Sequence, residues 1–497
     1  MFKQTALTSC DSYKLGHADQ YPDGITKVYS NFTPRSMAHF NVPEEYKTNK
    51  IVWFGLQAFL MEMNEIWRDT FFEEDWGYTE AEALEMYAPF VGPKGFDISR
   101  LKALHDLGYL PLEIKSLPEG SQVPIGVPVF TITNTLPEFA WLPNFMETWL
   151  SAELWKGSTS ATTSLVYRKI IDKYAEATGG SKEFIQWQGH DFSVRGMSGI
   201  ADAAKSGAGH LLSFTGTDNL PAVKYINDCY FGKSTFVGGS VPATEHSVMC
   251  AGGKESEVET FRRLLKTYPS GVVSIVSDTW DFWNVITNTA RELKDEIEAR
   301  VPDQFGLAKT VFRPDSGDPV KIIVGDIMAE PGSPEYKGAV ECLAEIFGTT
   351  TNAKGFKTLN PRVGLIYGDS ITPQRAEAIL KGLMEKGYAS DNIVFGIGSF
   401  TFQYQTRDTL GLAMKATYVE INGIGQSIFK DPKTDSGTKK SAKGLLSIGS
   451  NAAGDFVLFN DVTIEQEQQG FLRTVFKDGI ITVRETFADI RSRLGVI

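Results

Sequence analysis

Apolar and polar positions recur along this chain at different periods, and the changes of period divide it. From Leu110 to Leu136, "LPLEIKSLPEGSQVPIGVPVFTITNTL", short apolar runs are separated by turn residues, Pro118-Glu119-Gly120 and Pro124-Ile125-Gly126. That pattern predicts short strands in a β-rich module. Near the other end, "FLRTVFKDGIITVRETF" (Phe471 to Phe487) sets Asp478-Gly479 between two alternating runs, which predicts a hairpin. Between Trp149 and Tyr174 the pattern is helical, and Gly179-Gly180 closes it. Both ends of the chain therefore read as β-rich, with a helix after the first.

In the middle a single arrangement recurs: a short apolar run, a cluster of Gly, Asp, Ser or Arg, then a helical segment. The instances are "FIQWQGHDFSVRG", "HLLSFTGTDN", "TFVGGSVPATEHS", "VVSIVSDTWD", "TVFRPDSGDP", "VGLIYGDS" and "NIVFGIGS". With Phe192, Asp218, His246, Asp278, Arg313, Asp369 and Ser399 as markers, the gaps are 26, 28, 32, 35, 56 and 30 residues. Apart from the fifth, each is the length of a strand-plus-helix unit. Such units build a parallel sheet with its reactive residues at the carboxyl ends of the strands. The predicted fold is α/β: an incomplete or irregular (β/α) barrel core packed with a β-rich domain drawn from both ends of the chain. The boundaries expected are 1–150 and 401–497 for the two parts of the β-rich domain, 151–180 for a connecting helix and 181–400 for the barrel. Convergence on one rim would bring His246 near Asp278.

Composition narrows the classes. At 497 residues the chain has room for a large core, and 42% hydrophobic with 22% charged residues is ordinary for a soluble protein. No apolar run approaches the roughly 18 residues of a membrane-spanning helix. The opening "MFKQTALTSCDSYKLGH" has none of the features of a signal peptide, so a cytoplasmic protein is expected. Four cysteines, Cys10, Cys229, Cys250 and Cys342, lie far apart without a CxxC, which argues against a zinc site and a disulfide framework. A net charge of -12 argues against sequence-independent nucleic-acid binding, which needs a basic surface. The polar, lysine-rich stretch 430–444 is the expected flexible loop.

The chemistry lies in the clusters. "RPDSGDP" (Arg313 to Pro319) places a fixed cation, two carboxylates and a hydroxyl within seven residues. Pro-Asp-Ser-Gly alone is a common turn, but at the end of an apolar run Arg313 can stack on a ring or clamp a phosphate. Asp315 can hold a ribose hydroxyl or a metal-bound water. "YGDS" (Gly368, Asp369) and "FGIGS" (Gly398, Ser399) resemble backbone nests for a phosphate. "HDFSVRG" offers an aromatic lid, Phe192, and a second arginine, Arg195; a phenylalanine taken singly is more often core. "SVPATEHS" holds Ser240 and His246, and a lone histidine is by default a satisfied interior residue. These groups suit a substrate with several phosphates and a flat ring, bound with a hard metal ion. A metallohydrolase would want clustered imidazoles such as HxH, and none occurs.

"DSYK", "QYP", "HDF", "GTD", "SVPA", "EHS", "VSD", "RPDSG", "TRD" and "FKDP" run in the order found in the nicotinamide phosphoribosyltransferases, and the chain resembles that family over nearly its whole length. The resemblance implies a type II phosphoribosyltransferase fold and a homodimer with two sites at the subunit interface. It implies a reaction in NAD salvage: nicotinamide and phosphoribosyl pyrophosphate give nicotinamide mononucleotide and pyrophosphate, with Mg²⁺ and with ATP as auxiliary substrate. By the same resemblance Phe192 and, from the partner subunit, Tyr13 sandwich the ring, and Asp218 accepts from the carboxamide. Arg195, Ser240, Arg313, Asp315, Gly368, Asp369, Gly398 and Ser399 line the rest of the substrate site. Arg35, Arg407, Lys415, Lys430 and Lys439 reach phosphates, and His246, with Asp278 beside it, is phosphorylated by ATP. The metal ligands are left unassigned. Three segments depart from the family pattern: Ile397 and Ser399 enter the glycine loop and narrow it, Val194 replaces an aromatic, and 298–310 differs throughout. The alternatives are a nicotinate phosphoribosyltransferase, which should not carry Asp218, and a catalytically silent dimeric binding protein.

Overall fold

The computed structural model describes residues 3–92, 95–232, 235–431 and 441–496. Six parallel strands follow the repeated units: β1 (Gly189–Asp191), β2 (Gly216–Thr217), β3 (Gly271–Val276), β4 (Ala308–Arg313), β5 (Val363–Tyr367) and β6 (Val394–Ile397). Their order is β2-β1-β6-β5-β4-β3. β5 is buried at all five positions, the expected state of a strand covered on both faces, and this is why such strands read as continuous apolar runs.

The two edges of this sheet do not stay open. The extended segment 239–244 bridges them: Thr217 N donates to Gly239 O at 3.0 Å, and Ser274 N donates to Pro242 O at 2.9 Å. Pro242 has no N–H for a regular ladder, so this seventh stave holds only isolated bridges. The result is a closed but irregular barrel, as expected. The long fifth gap also has a cause: after β4 the chain makes three short helices and a small hairpin (Thr349–Thr351 with Lys357–Leu359) before β5 begins.

The second sheet is antiparallel and has seven strands. In order they are Ile424–Ser427, Ala413–Ile421, Ile25–Thr33, Phe130–Asn134, Leu112–Ser116, Arg473–Lys477 and Ile480–Ile481. Three strands from the first part of the chain are thus flanked on both sides by strands from the last, so neither part makes the sheet alone. The predicted hairpin turns at Asp478 (φ 48°) and Gly479 (φ 80°). A 32-residue helix, Glu147–Thr178, connects the two sheets and ends at Gly179. Its buried Ser158 and Thr162 hydroxyls accept the backbone N–H groups of Phe54 (3.0 Å) and Val52 (2.9 Å), so a polar face is satisfied inside the core. Among the described residues no helix is long and apolar enough to cross a membrane, and all four cysteines are free thiols.

Candidate active site on the barrel rim

The seven marker residues arrive at one end of the barrel. Phe192 and Asp218 follow β1 and β2 by one residue, Asp278, Asp369 and Ser399 follow β3, β5 and β6 by two, Arg313 ends β4, and His246 begins the helix after the seventh stave.

One side of the rim is built around Asp218. Its Oδ1 accepts from His190 Nε2 at 3.1 Å and from Ser240 Oγ, and His190 lies 4.8 Å, centroid to centroid, from the Phe192 ring. Burial would raise Asp218, but the bond and the charge of His190, the bond from Ser240 and the Arg313 charge hold it below the usual carboxylate range. A fixed anion beside an aromatic face is the outcome.

The centre of the rim is a tight ionic group. Asp278 Oδ2 accepts from Asp315 N (2.9 Å) and Ser316 Oγ (2.6 Å), which ties the "RPDSG" turn to the end of β3. Arg313 donates to Thr244 O at 2.7 Å, and its Nε lies 3.3 Å from Asp315 Oδ1. That ionic contact is not aligned as a hydrogen bond, and Asp278 Oδ1, Asp315 Oδ1 and Arg313 Nε are buried with no hydrogen-bond partner. Buried charged groups with unfilled bonding capacity at a site point to a ligand that completes them. Burial raises Asp315 above the ordinary carboxylate, Arg313 draws it back, and Asp278 pushes it up again.

His246 sits over this group, half exposed. Its Nε2 is 3.9 Å from both Asp278 Oδ1 and Asp315 Oδ2, and Nδ1 lies 3.2 Å from Thr279 Oγ1. The expected neighbour Asp278 is there, but it shares the position with Asp315, and the ring's hydrogen-bond contact is the one between Nδ1 and Thr279 Oγ1.

On the remaining arc, Gly368 packs so closely on Asp315 that a Cβ would stand 2.0 Å from Oδ1. Asp369 is exposed beside it, and Arg195, also exposed, is within electrostatic reach of Asp315. Gly398 has open space where a Cβ would be, whereas Ser399 presses against Gly196. The narrowing expected from Ile397 does not occur, because that side chain ends β6 and is fully buried. Segment 298–310 leads into the amino end of β4, opposite the rim, so its divergence leaves the site untouched.

Other predicted residues stand on the antiparallel sheet and its margins. Lys415 lies in Ala413–Ile421 opposite Asn31, and Arg35 Nε donates to Gly411 O at 3.0 Å. Burial lowers Lys415, Glu147 opposes this, and Arg35, Lys430 and Lys14 add to the lowering, so these cations form one cluster. Arg407 is exposed beside Asp408 at 3.5 Å. Tyr13 is 59% exposed, its ring 5.0 Å from that of His17 and beneath Lys14. Lys439 lies outside the described residues. Sequence reasoning missed His190 and Thr279, which meet Asp218 and His246 only through the fold. Among the described residues no group of three or more His, Cys, Asp or Glu side chains could by itself hold a metal ion.

A closed α/β barrel with an ionic rim, joined to an antiparallel sheet made from both ends of the chain, is the architecture of a type II phosphoribosyltransferase. The crystal structure of nicotinate-nucleotide pyrophosphorylase from Pyrococcus furiosus superimposes with a TM-score of 0.57 at 14% identity, covering 98% of this chain and 94% of that one. Residues 187–480 match the nicotinate phosphoribosyltransferase family, and residues 5–69 match the N-terminal domain of nicotinamide phosphoribosyltransferase. A nicotinamide phosphoribosyltransferase from Acinetobacter baylyi is 54% identical over 99% of this chain and 98% of its own. Another, from Mycoplasma pneumoniae, is 34% identical over 88% and 94%. The chain belongs to the nicotinate phosphoribosyltransferase family, on its nicotinamide phosphoribosyltransferase branch.

Proposed function

We propose that the protein transfers the phosphoribosyl group of phosphoribosyl pyrophosphate to nicotinamide, giving nicotinamide mononucleotide and pyrophosphate in NAD salvage. The observation that carries this reading is the ionised Asp218 beside the Phe192 face. A carboxylate there accepts a hydrogen bond from the carboxamide NH₂ and repels the carboxylate of nicotinate; close like charges cost several kcal/mol.

The chemistry asks for no general base. The pyridine nitrogen attacks the anomeric carbon with its lone pair as the bond to pyrophosphate breaks, and no proton moves. The tasks left are to align the ring, stabilise the cationic ribose and neutralise the leaving group. Phe192 stacks on the ring, worth about 1 kcal/mol beyond its area. Arg313 and Asp315 hold the ring and ribose region, and Gly368, Asp369, Gly398 and Ser399 surround the 5′-phosphate. Mg²⁺ commonly takes one or two carboxylates and completes its shell with water and substrate phosphates. The unpartnered Asp278 Oδ1 and Asp315 Oδ1 fit that donor set. When bound, the ion neutralises charge on the departing pyrophosphate.

His246 is the acceptor for the γ-phosphoryl group of ATP, with ADP leaving. A ring that carries its hydrogen on Nε2, the nitrogen 3.9 Å from the Asp278–Asp315 pair, keeps its lone pair on Nδ1, beside Thr279, as the nucleophile. The enzyme is a homodimer in which Tyr13 and the Arg35–Lys415–Lys430 cluster serve the partner's barrel, since within one chain Lys415 stands on the antiparallel sheet and the others at its margins or in the short helix Ser12–Gly16.

The test is to incubate purified protein with phosphoribosyl pyrophosphate, Mg²⁺ and either nicotinamide or nicotinate, with and without ATP, and to quantify the mononucleotide. Product from nicotinamide, stimulated by ATP, is the expected result. Product from nicotinate alone would overturn the role of Asp218, and product from neither would favour a silent binding protein.

A further inference from the structure

His190 has no task in the reaction above, yet it touches the carboxylate that sets the choice of ring. Its side chain is 11% exposed, held between the Phe192 ring and Gly216, where a Cβ would come within 2.8 Å of Nδ1. Nε2 meets Asp218 Oδ1 at 3.1 Å, and Ser240 Oγ, which donates to the same oxygen, is 3.4 Å from that nitrogen. An ionised carboxylate only accepts, so the hydrogen in this contact sits on Nε2, and in the neutral ring the lone pair is on Nδ1. Asp218 Oδ2 has no hydrogen-bond partner among the described residues and is the oxygen left for substrate. Beside Asp218, the ionisable groups within electrostatic reach are His210, from the helix Ile200–His210, and, across Asp218, Arg313. Asp191 is engaged by Asn219 Nδ2 at 2.9 Å and Ser193 N at 2.9 Å, and His210 Nε2 by Gly216 O at 3.1 Å, so Asp218 is the carboxylate that His190 addresses.

We infer that His190 is a positioning residue that sets substrate choice. When neutral, it aims Asp218 as an anion that selects a carboxamide; when protonated at Nδ1, it makes an imidazolium–carboxylate pair that adds a positive charge beside Asp218 and admits a carboxylate ring. The proton comes from solvent, and no substrate bond changes. This rests on the placing of Asp218 against the ring substituent in the proposed function.

The consequence is a preference that depends on pH. Changing the pH moves the pair between its two charge states, while nicotinate stays ionised over the range assayed. The ratio of kcat/KM for nicotinamide to that for nicotinate should therefore be highest at alkaline pH and fall as the pH is lowered. A full charge within about 4–6 Å changes a charge-dependent equilibrium on the order of tenfold or more, and the fall should be at least of that order. Titrations shared by both reactions, those of phosphoribosyl pyrophosphate and His246 included, cancel in the ratio.

The experiment measures that ratio from about pH 5.5 to 8.5 in the wild-type enzyme and in His190→Gln, which keeps an N–H donor but cannot titrate. The wild-type ratio should fall and the variant's stay flat, with the variant's change appearing mainly in KM. A flat wild-type ratio, or one that falls equally in His190→Gln, would overturn the inference. Should the variant fail to fold, calorimetric titration of wild-type enzyme with each ring at the two extremes of pH gives the same comparison; equal shifts in both affinities would overturn it. Nicotinamide product with a pH-independent ratio removes this inference alone, whereas no product from either ring at any pH removes the proposed function with it.

Discussion

At Gly368 a single methyl group should separate folding from catalysis. A Cβ there would stand 2.0 Å from Asp315 Oδ1 and 3.0 Å from its Cγ, with Arg313 Cδ at 3.5 Å. Ordinary contact begins at 3.4 Å, so the carboxylate oxygen must withdraw by about 1.4 Å. What blocks the methyl is the end of a side chain, and the φ of Gly368 is not in the left-handed region, so the backbone accepts alanine. Overpacking of this kind costs about 1–2 kcal/mol of stability. Function should suffer more, because Asp315 leaves its 3.3 Å contact with Arg313 and its 3.9 Å approach to His246. Misplacing a positioning group by about 1 Å lowers the rate by about 10²-fold, or about 2.7 kcal/mol. The assay is kcat/KM for nicotinamide in Gly368→Ala, beside a thermal unfolding curve. A midpoint within a few degrees of wild type and kcat/KM about a hundredfold lower are expected. A folded variant within about threefold of wild type would refute the role given to Asp315, and loss of activity through unfolding would refute the claimed separation.

Three further outcomes follow from the geometry. Asp218→Asn removes a charge-assisted bond worth about 1.5–3 kcal/mol, so KM for nicotinamide should rise about ten- to a hundredfold while turnover of nicotinate increases; an unchanged ratio of the two activities would count against the assignment. In Asp278→Asn one amide nitrogen must face either His246 or the donors Asp315 N and Ser316 Oγ, so phosphohistidine formed from labelled ATP should fall more steeply than ATP-independent transfer. Arg491, in the C-terminal helix Phe487–Leu494, donates to Leu211 O (2.7 Å), Phe214 O (3.1 Å) and Val237 O (2.6 Å), and burial pushes it down to about 10. Arg491→Met strands those carbonyls and should cost about 2–5 kcal/mol in urea unfolding; an unmoved midpoint would show the latch to be dispensable.

The rim was legible because barrel strands buried on both faces leave continuous apolar runs, and the polar residues that end them are the ones that reach the site. That logic brought His246 to Asp278 across 32 residues of sequence, and they stand 3.9 Å apart. The seventh stave was legible as one of the repeated units, "TFVGGSVPATEHS", but not its irregularity: Pro242 and Gly238-Gly239 leave it isolated bridges in place of a ladder. His190 was hidden for another reason: its contact with Asp218 arises from the parallel register of His190 with Gly216, and a histidine within an apolar run otherwise reads as core. Ile397 shows the converse error, a side chain assigned to a loop from its neighbours when its place in the strand buries it. The cations of the antiparallel sheet carry no local pattern, and only the family resemblance singled them out.

The most direct measurement is a one-tube competition. Equal concentrations of nicotinamide and nicotinate are incubated at pH 8 with limiting phosphoribosyl pyrophosphate, Mg²⁺ and the purified protein, and both mononucleotides are resolved by chromatography. With Asp218 ionised at the ring end of the barrel, nicotinamide mononucleotide should form in large excess. A product mixture dominated by nicotinate mononucleotide would contradict the central claim that this carboxylate reads the ring.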